Sequence, residues 1–259
     1  MNFFKQGVVL VCFLATTLSA ANPLVYTEPN PPFNFRDKGE VKGLSVELLE
    51  ASMASFHPKL AQDEIRLDLW REIYKEAQAH PTSFLISVSR LKDRESSFQW
   101  VGPLATVKLG IITKKGVTLP KGNTYEMLKS LRIATIKETS SEKVLFQEVG
   151  ENSNLNITRV STPIQGYKML EYGRVDALIY TDIPFVYNLV SEGQNASDYR
   201  MAHVLLSTDY YIGVGLDVPK DQVKAMQKQL DKLREVDSSG KSKYDQIFAK
   251  YLKGAVLQQ

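Results

Sequence analysis

The chain writes one pattern twice. Strand-like runs alternate with helix-like runs over residues 24–88, and after Pro103 and a Gly/Pro/Lys loop at 116–122 the alternation starts again at Leu131. In the first pass, residues 24–27, 65–69 and 84–88 read as strands; Gly43 opens a helix carrying Leu44, Val46, Leu48, Leu49 and Met53, and 70–79 makes a second. In the second pass, 131–136, 157–160 and 175–180 read as strands and 139–148, 163–172 and 184–191 as helices. Thr162 caps the middle helix, Pro163 takes its first position and Gly173 closes it. A strand-helix-strand rhythm predicts an α/β fold with helices on both faces of each sheet. Residues 107–113 and 210–216 add strands, and 220–236 and 242–252 end the chain as helices with one packing face each. The chain is expected to cross between two units near 104–110 and to return near 206–212. That gives one lobe of 22–108 plus 206–259, a second of 109–205, and paired strands between them. No repeat, low-complexity tract or flexible linker interrupts the chain after residue 21, which suits a hinge.

Residues 1–21 hold a single charge (Lys5), an apolar run from Gly7 to Leu14 and the ending Ser19-Ala20-Ala21. That is the plan of a secretory signal peptide, too short for a membrane span, with cleavage expected after Ala20 or Ala21. Cys12, the one cysteine, lies within the apolar run after Val11, a poor context for lipoprotein processing. The exported chain then has no disulfide framework and must be held by its core. A net charge of +3 with no basic stripe excludes a nucleic-acid binder. His57, His80 and His203 lie far apart, so no metal site is expected. There is no Gly-x-Ser-x-Gly elbow and no Walker loop, and Gly213-Val214-Gly215 lacks the third glycine of a dinucleotide loop. No cofactor and no catalytic nucleophile are expected.

Three features could carry binding chemistry. Ser89-Arg90-Leu91-Lys92-Asp93-Arg94 places two guanidinium groups just beyond an apolar strand and before an aromatic-Gly-Pro corner, Trp100-Val101-Gly102-Pro103. A planar guanidinium holds a carboxylate with two parallel hydrogen bonds and keeps its charge when desolvated; the competing account is two solvated arginines. Thr139-Ser140-Ser141-Glu142 is a capping box, in which Thr139 accepts from the Glu142 N–H and the Glu142 carboxylate reaches back. Its helix start could attract an anion, or simply end a helix. Trp70 stands at a strand-to-helix junction, where an α/β sheet presents side chains to a ligand, although core packing accounts for a tryptophan equally well.

Taken in order, Pro31-Pro32-Phe33-Asn34-Phe35, Gly43 to Leu48, Ser89 to Pro103, Ile133 to Ser141, Gly173 to Ala177, and Leu233-Arg234 through Tyr251 resemble the periplasmic solute-binding proteins of family 3. These are the amino-acid receptors of ABC importers. The resemblance spans nearly all of the chain after residue 21. It implies the two-lobed type II periplasmic binding fold, each lobe a mixed sheet flanked by helices, joined by a two-strand hinge. By the same resemblance Arg94 grips a ligand carboxylate, Ser89 shares it, the backbone of Thr139 and Ser140 donates from the second lobe, and Trp70 covers the ligand side chain. Where the family binds the ligand ammonium, direct counting gives Thr181 with Asp182 next to it, and Thr27 with Glu28 next to it. Both acids are thus one residue out of place: either the register shifts, or the ligand lacks an α-amino group. Glu138 replaces the family's glycine before the capping threonine.

The expectation is a monomeric, non-enzymatic receptor in the periplasm of a Gram-negative bacterium. It would close on a small carboxylate-bearing solute and present it to a membrane ABC permease, or to a sensor kinase. The alternative is an enzyme resembling periplasmic cyclohexadienyl dehydratases on the same fold, with Glu28, Glu138 or Asp182 as the acid.

Overall fold

Two strands of 16 residues each, β6 (Gln99–Lys114) and β10 (Tyr199–Val214), run antiparallel through the middle of the molecule. The computed structural model describes residues 24–57, 59–255 and 257, so the leader expected at 1–21, with Cys12, lies outside them. Short parallel strands flank the central pair on each side. On one side stand β1 (Val25–Thr27), β4 (Ile65–Leu67) and β5 (Phe84–Ser89); on the other β7 (Arg132–Ile136), β8 (Asn156–Val160) and β9 (Ala177–Thr181). The whole forms one sheet of eight strands in the order β4-β1-β5-β10-β6-β9-β7-β8. Helices α1 (Leu44–Met53), α2 (Trp70–Ala79), α3 (Thr124–Leu128), α4 (Ser140–Val149), α5 (Pro163–Glu171), α6 (Asp182–Ser191), α7 (Lys220–Lys232) and α8 (Lys243–Leu252) cover its faces.

The buried apolar residues separate into two sets. Val25, Phe33, Leu49, Phe84, Val101, Ile212 and Met226 belong to one cluster, with a smaller one of Tyr26, Ile73, Leu85 and Phe98 around α2. Ile112, Tyr167, Leu178, Phe185 and Tyr199 form a cluster in the other half, with Ile111, Leu128, Leu145 and Ile179 forming another. Each half buries both faces of its inner strands, which explains why β5 and β9 read as uninterrupted apolar runs, while the outer strand β8 is largely exposed. Near the chain end, Ala255 and Leu257 pack against the cluster of Ile112 and Phe185 although α8 packs with the other half.

The structure corrects several expected boundaries. The Trp100-Pro103 corner lies inside β6, and the strand expected at 107–113 begins at Gln99. Pro103 cannot donate to a ladder, and the register with β10 shifts between Tyr210 and Ile212, so the irregularity is absorbed there without ending the strand. Gly102 has φ 153°, and a Cβ at this position would stand 2.6 Å from the Tyr211 ring. The strand expected at 210–216 begins at Tyr199, because the half-exposed stretch from Ala202 to Asp209 has no apolar period to reveal it. A hairpin, β2 (Phe35–Asp37) with β3 (Glu40–Lys42), and α3 went unread; Lys38 and Gly39 turn the hairpin, both at positive φ.

Candidate functional site

Strand register brings the expected residues together. Ser89, at the carboxyl end of β5, pairs with Tyr210, which in turn pairs with Ala105. Thr181, at the carboxyl end of β9, pairs with Leu109. Because β9 runs antiparallel to β6, and β5 antiparallel to β10, the two sets of carboxyl ends point at each other. Four residue steps of β6 separate them, roughly 13 Å at about 3.3 Å per step. The floor of this interval is Ala105–Leu109 of β6 and Leu206–Tyr210 of β10. A cavity of about 530 Å³ opens against this floor, lined by Arg90, Thr106, Ser207, Thr208, Asp209 and Tyr211; of the two arginines it is Arg90 that lines it, and Ser89, Arg94, Thr139 and Asp182 do not. Ligands of open α/β sheets bind outside carboxyl strand ends, and here both halves turn those ends to one place.

From the first half come Glu28 after β1, Trp70 at the start of α2, Ser89 at the end of β5 and Arg94 in the loop after it. The Arg94 guanidinium lies 4.7 Å from the centre of the Trp70 ring and 5.5 Å from that of Tyr74, and its Nη1 donates to the Ser89 carbonyl at 3.4 Å. Trp70 itself stacks on Tyr74 at 5.1 Å. The tryptophan is therefore a platform beneath the arginine, a role the sequence did not suggest. Arg90 is bound differently: its Nε donates to Glu95 at 2.8 Å and Nη2 to the other carboxylate oxygen, while Trp100 and Tyr211 flank it at 5.7 Å each. Its fork is already filled, and Arg94 is the guanidinium with open donors.

Glu28 and Thr27 part company. Thr27 is fully buried and its hydroxyl has no partner, whereas Glu28 is half-buried at the end of β1. Burial pushes the Glu28 carboxyl up to about 7, against the opposing pull of Arg94. A buried polar cluster holds this turn: Asn34 Nδ2 donates to the Glu28 carbonyl at 2.5 Å, and Ser87 Oγ bonds to Asn34 Oδ1 and, at 2.8 Å, to Ser45 Oγ. Ser87 reaches both from a φ of 62°, a conformation that costs a serine about 1 kcal/mol or more. None of Asn34, Ser45 or Ser87 was read as part of the site; Asn34, set in Pro31-Pro32-Phe33-Asn34-Phe35, was the available signal.

From the second half come Glu138, Thr139 and Ser140 after β7, and Asp182 after β9. Thr139 caps α4, accepting from the Glu142 N–H at 3.4 Å and donating to the Ile136 carbonyl at 2.8 Å. The Glu142 carboxylate reaches back one residue further than a capping box requires, accepting from the Glu138 N–H at 2.9 Å and from Arg159 at 2.6 and 2.7 Å. Arg159 holds the Glu142 carboxyl below its ordinary range. The first N–H groups of α4, which lack intrahelical acceptors, are left for an anion. Glu138 is exposed and has φ 61°, a conformation that glycine adopts without strain and a glutamate does not. Asp182 starts α6, and its Oδ1 accepts from the N–H of Lys108 at 3.0 Å and of Ile183 at 2.7 Å. Burial raises its carboxyl, against those two hydrogen bonds. Thr181 beside it is buried.

Two tyrosines that sequence reasoning missed complete the setting. Tyr210, on the floor strand, packs edge-on against Phe33 at 5.0 Å and its hydroxyl accepts from Asn30 Nδ2 at 3.4 Å. Tyr180 precedes Thr181 in β9. Burial raises both phenols, Tyr210 up to about 12, and each is raised further by the charge of Glu28. Among the described residues, no group of three or more His, Cys, Asp or Glu could hold a metal ion, and no helix is long and apolar enough to cross a membrane.

The raised acid has a measurable consequence for stability. Between its ordinary value of 4.5 and about 7, the folded protein keeps a proton on Glu28 that the unfolded chain has lost. Glu28 therefore takes stability away as pH rises through that window, about 3 kcal/mol in all, and nothing further above it. Chemical denaturation of the wild type and Glu28→Gln from pH 4.5 to 8 should show a falling difference. Parallel curves would refute the assignment of this acid.

The sequence profile of the bacterial extracellular solute-binding proteins, family 3, matches residues 24–254. Solved structures share the fold at low sequence identity. A mutant of ArgBP from T. maritima is 20% identical with a TM-score of 0.63, covering 89% of this chain and 95% of its own. A histidine kinase sensor domain with similarity to periplasmic binding proteins is also 20% identical, with a TM-score of 0.64 and coverage of 92% and 98%. Substrate binding domain 2 of Lactococcus lactis GlnP, in an open conformation, is 18% identical with a TM-score of 0.63 and the same coverage. No curated protein matches the chain by sequence. The profile runs through every strand of the sheet and every helix around it, so the chain belongs to the bacterial extracellular solute-binding proteins of family 3.

Proposed function

We propose that the protein captures a small carboxylate-bearing solute, an amino acid or a close relative, by closing two lobes around it. The lobes are residues 22–108 with 206–259, and 109–205, hinged on β6 and β10. Arg94 and Ser89 hold the carboxylate from the first lobe; the N–H groups of Thr139 and Ser140 hold it from the second. The observation that carries this reading is the facing of carboxyl strand ends, with the open guanidinium of Arg94 on one side and the capped start of α4 on the other. A ligand that touches both lobes favours the closed form by its differential affinity, and that shift is what a partner reads. Micromolar binding requires about 8 kcal/mol net, within reach of a bidentate ion pair and several N–H donors after ordering costs. The receptor works as a monomer in the periplasm of a Gram-negative bacterium and hands its solute to a membrane ABC permease, with a sensor kinase as the other possible partner. A permease gene beside its own, as against a kinase gene, separates the two.

A thermal-shift screen of amino acids, their 2-oxo and 2-hydroxy analogues and small peptides tests the central claim. A true ligand at a hundred times its Kd adds about 2.7 kcal/mol to stability. Failure of every carboxylate to raise the melting temperature would defeat the proposal. The raised Glu28 carboxyl favours one second reading, an enzyme of the cyclohexadienyl dehydratase kind with Glu28 as general acid. Release of an aromatic product from prephenate or arogenate would establish it.

A further inference from the structure

Away from the facing strand ends, the sheet finishes in an open edge. β8 is its last strand and pairs only with β7, which sets it three strand spacings from β6, roughly 14 Å at about 4.8 Å each. Between β8 and α5 lies a second cavity of about 460 Å³, whose lining includes Arg159, Gln165, Lys168, Met169, Tyr172 and Arg174. Three of its lining side chains are basic and none is acidic. Lys168 and Arg174 are exposed and enter no ion pair among the described residues. Arg159 gives Nε and Nη2 to Glu142 at 2.6 and 2.7 Å, which leaves Nη1. The Gln165 Oε1 accepts from the N–H groups of Ser161 at 3.0 Å and Thr162 at 3.2 Å, so its amide nitrogen is the end left to donate.

The apolar part of the groove is as telling as its charge. Tyr172 is 65% exposed, with the Arg174 guanidinium 5.9 Å from the centre of its ring, and Met169 lies one helical turn before it. Tyrosine, methionine and arginine are the side chains enriched where proteins meet, and methionine adapts its shape to a partner. From Gln165 to Tyr172 the groove follows seven residue steps of helix, about 10 Å at about 1.5 Å per step. Its donors are spread along a line rather than gathered at a point. An extended chain rises about 3.3 Å per residue, so three or four residues carrying carboxylates match that length. A concave groove also suits a chain segment better than the flat surface of a bilayer.

We propose that this groove docks an extended acidic segment of a partner protein, its carboxylates on Lys168, Arg174, Arg159 and Gln165 and its apolar side chains on Tyr172 and Met169. The site stands apart from the facing strand ends, and it does not depend on which solute they hold.

Fluorescence polarisation of labelled hexaglutamate and hexaglutamine peptides with the purified protein provides the test. At low salt hexaglutamate should bind about tenfold or more tightly than hexaglutamine, and raising salt from about 0.02 M to about 0.3 M should weaken it. Lys168→Ala combined with Arg174→Ala should cost about fivefold, the loss expected for two exposed ion pairs. Lys224→Ala combined with Lys228→Ala removes the same charge from exposed positions of α7 and should change affinity by less than about twofold. All four positions are exposed, so the melting temperature of both variants should stay at the wild-type value. Equal binding of the two peptides overturns the inference. Equal losses in the two variants do so as well, because net charge and not the groove is then what the peptide feels. Flotation with phosphatidylglycerol vesicles that depends on Lys168 and Arg174, without binding of hexaglutamate, gives the groove to a membrane surface and overturns the inference too.

Discussion

Arg94→Ala should lower affinity by about thirtyfold or more while the protein remains folded. Removing one partner of a hydrogen-bonded ion pair within a binding site costs about 2–5 kcal/mol, much of it from the stranded charge on the other partner. The cost falls on binding because Arg94 is half-buried, makes one long hydrogen bond to Ser89, and otherwise rests on the faces of Trp70 and Tyr74. Folding loses a cation–π contact of roughly 0.5–1 kcal/mol. Arg94→Lys should fall between the two, keeping the charge and losing the planar fork. Calorimetry with the strongest hit of the thermal-shift screen measures the loss, and wild-type affinity in the alanine variant would remove Arg94 from the site. The same substitution at Arg90 should cost less, because that guanidinium is already paired with Glu95 and flanked by Trp100 and Tyr211.

The second large effect is expected at a residue that touches no ligand. In Gly110→Ala the added Cβ would stand 2.0 Å from the carbonyl oxygen of His203 and 2.7 Å from the Met201 sulfur. The sulfur can swing aside; the carbonyl belongs to β10, where the register with β6 already shifts between Met201 and His203 and between Val204 and Leu206. Relief therefore requires the two long strands to separate locally. About 3 kcal/mol or more is the expected loss, a fall of roughly 6–12 °C in melting temperature for a chain of this size. A shift under about 2 °C would show the two strands to be more pliant than their pairing implies.

How much of this was legible beforehand depended on periodicity. The flanking strands and most helices declared themselves because apolar residues recur at the right spacing, as in Leu44 to Met53, or run together, as in Phe84 to Val88. The central pair was seen only at its buried ends. Its middle is half-exposed over Ala202–Asp209, and Gly102-Pro103 reads as a break although it lies within β6. The arginine pair at Arg90 and Arg94 and the cap at Thr139 stood out by chemistry that survives without coordinates, guanidinium groups past a strand end and a cap before a helix, whereas the choice of Arg94 over Arg90 came from the family resemblance. Tyr180 and Tyr210 escaped because a tyrosine within an apolar strand is indistinguishable from core until register shows which strands it lies between. Trp70 was noticed, but what it supports, Arg94, lies in a different loop.

The facing of carboxyl ends also bears on how a receptor of this build can acquire a new cargo. Glu28, Arg94, Thr139 and Asp182 leave four separate strands, and the clusters that stabilise each half lie behind those strand ends. A change of side chain in one of these loops can therefore alter what is bound without reopening the packing underneath.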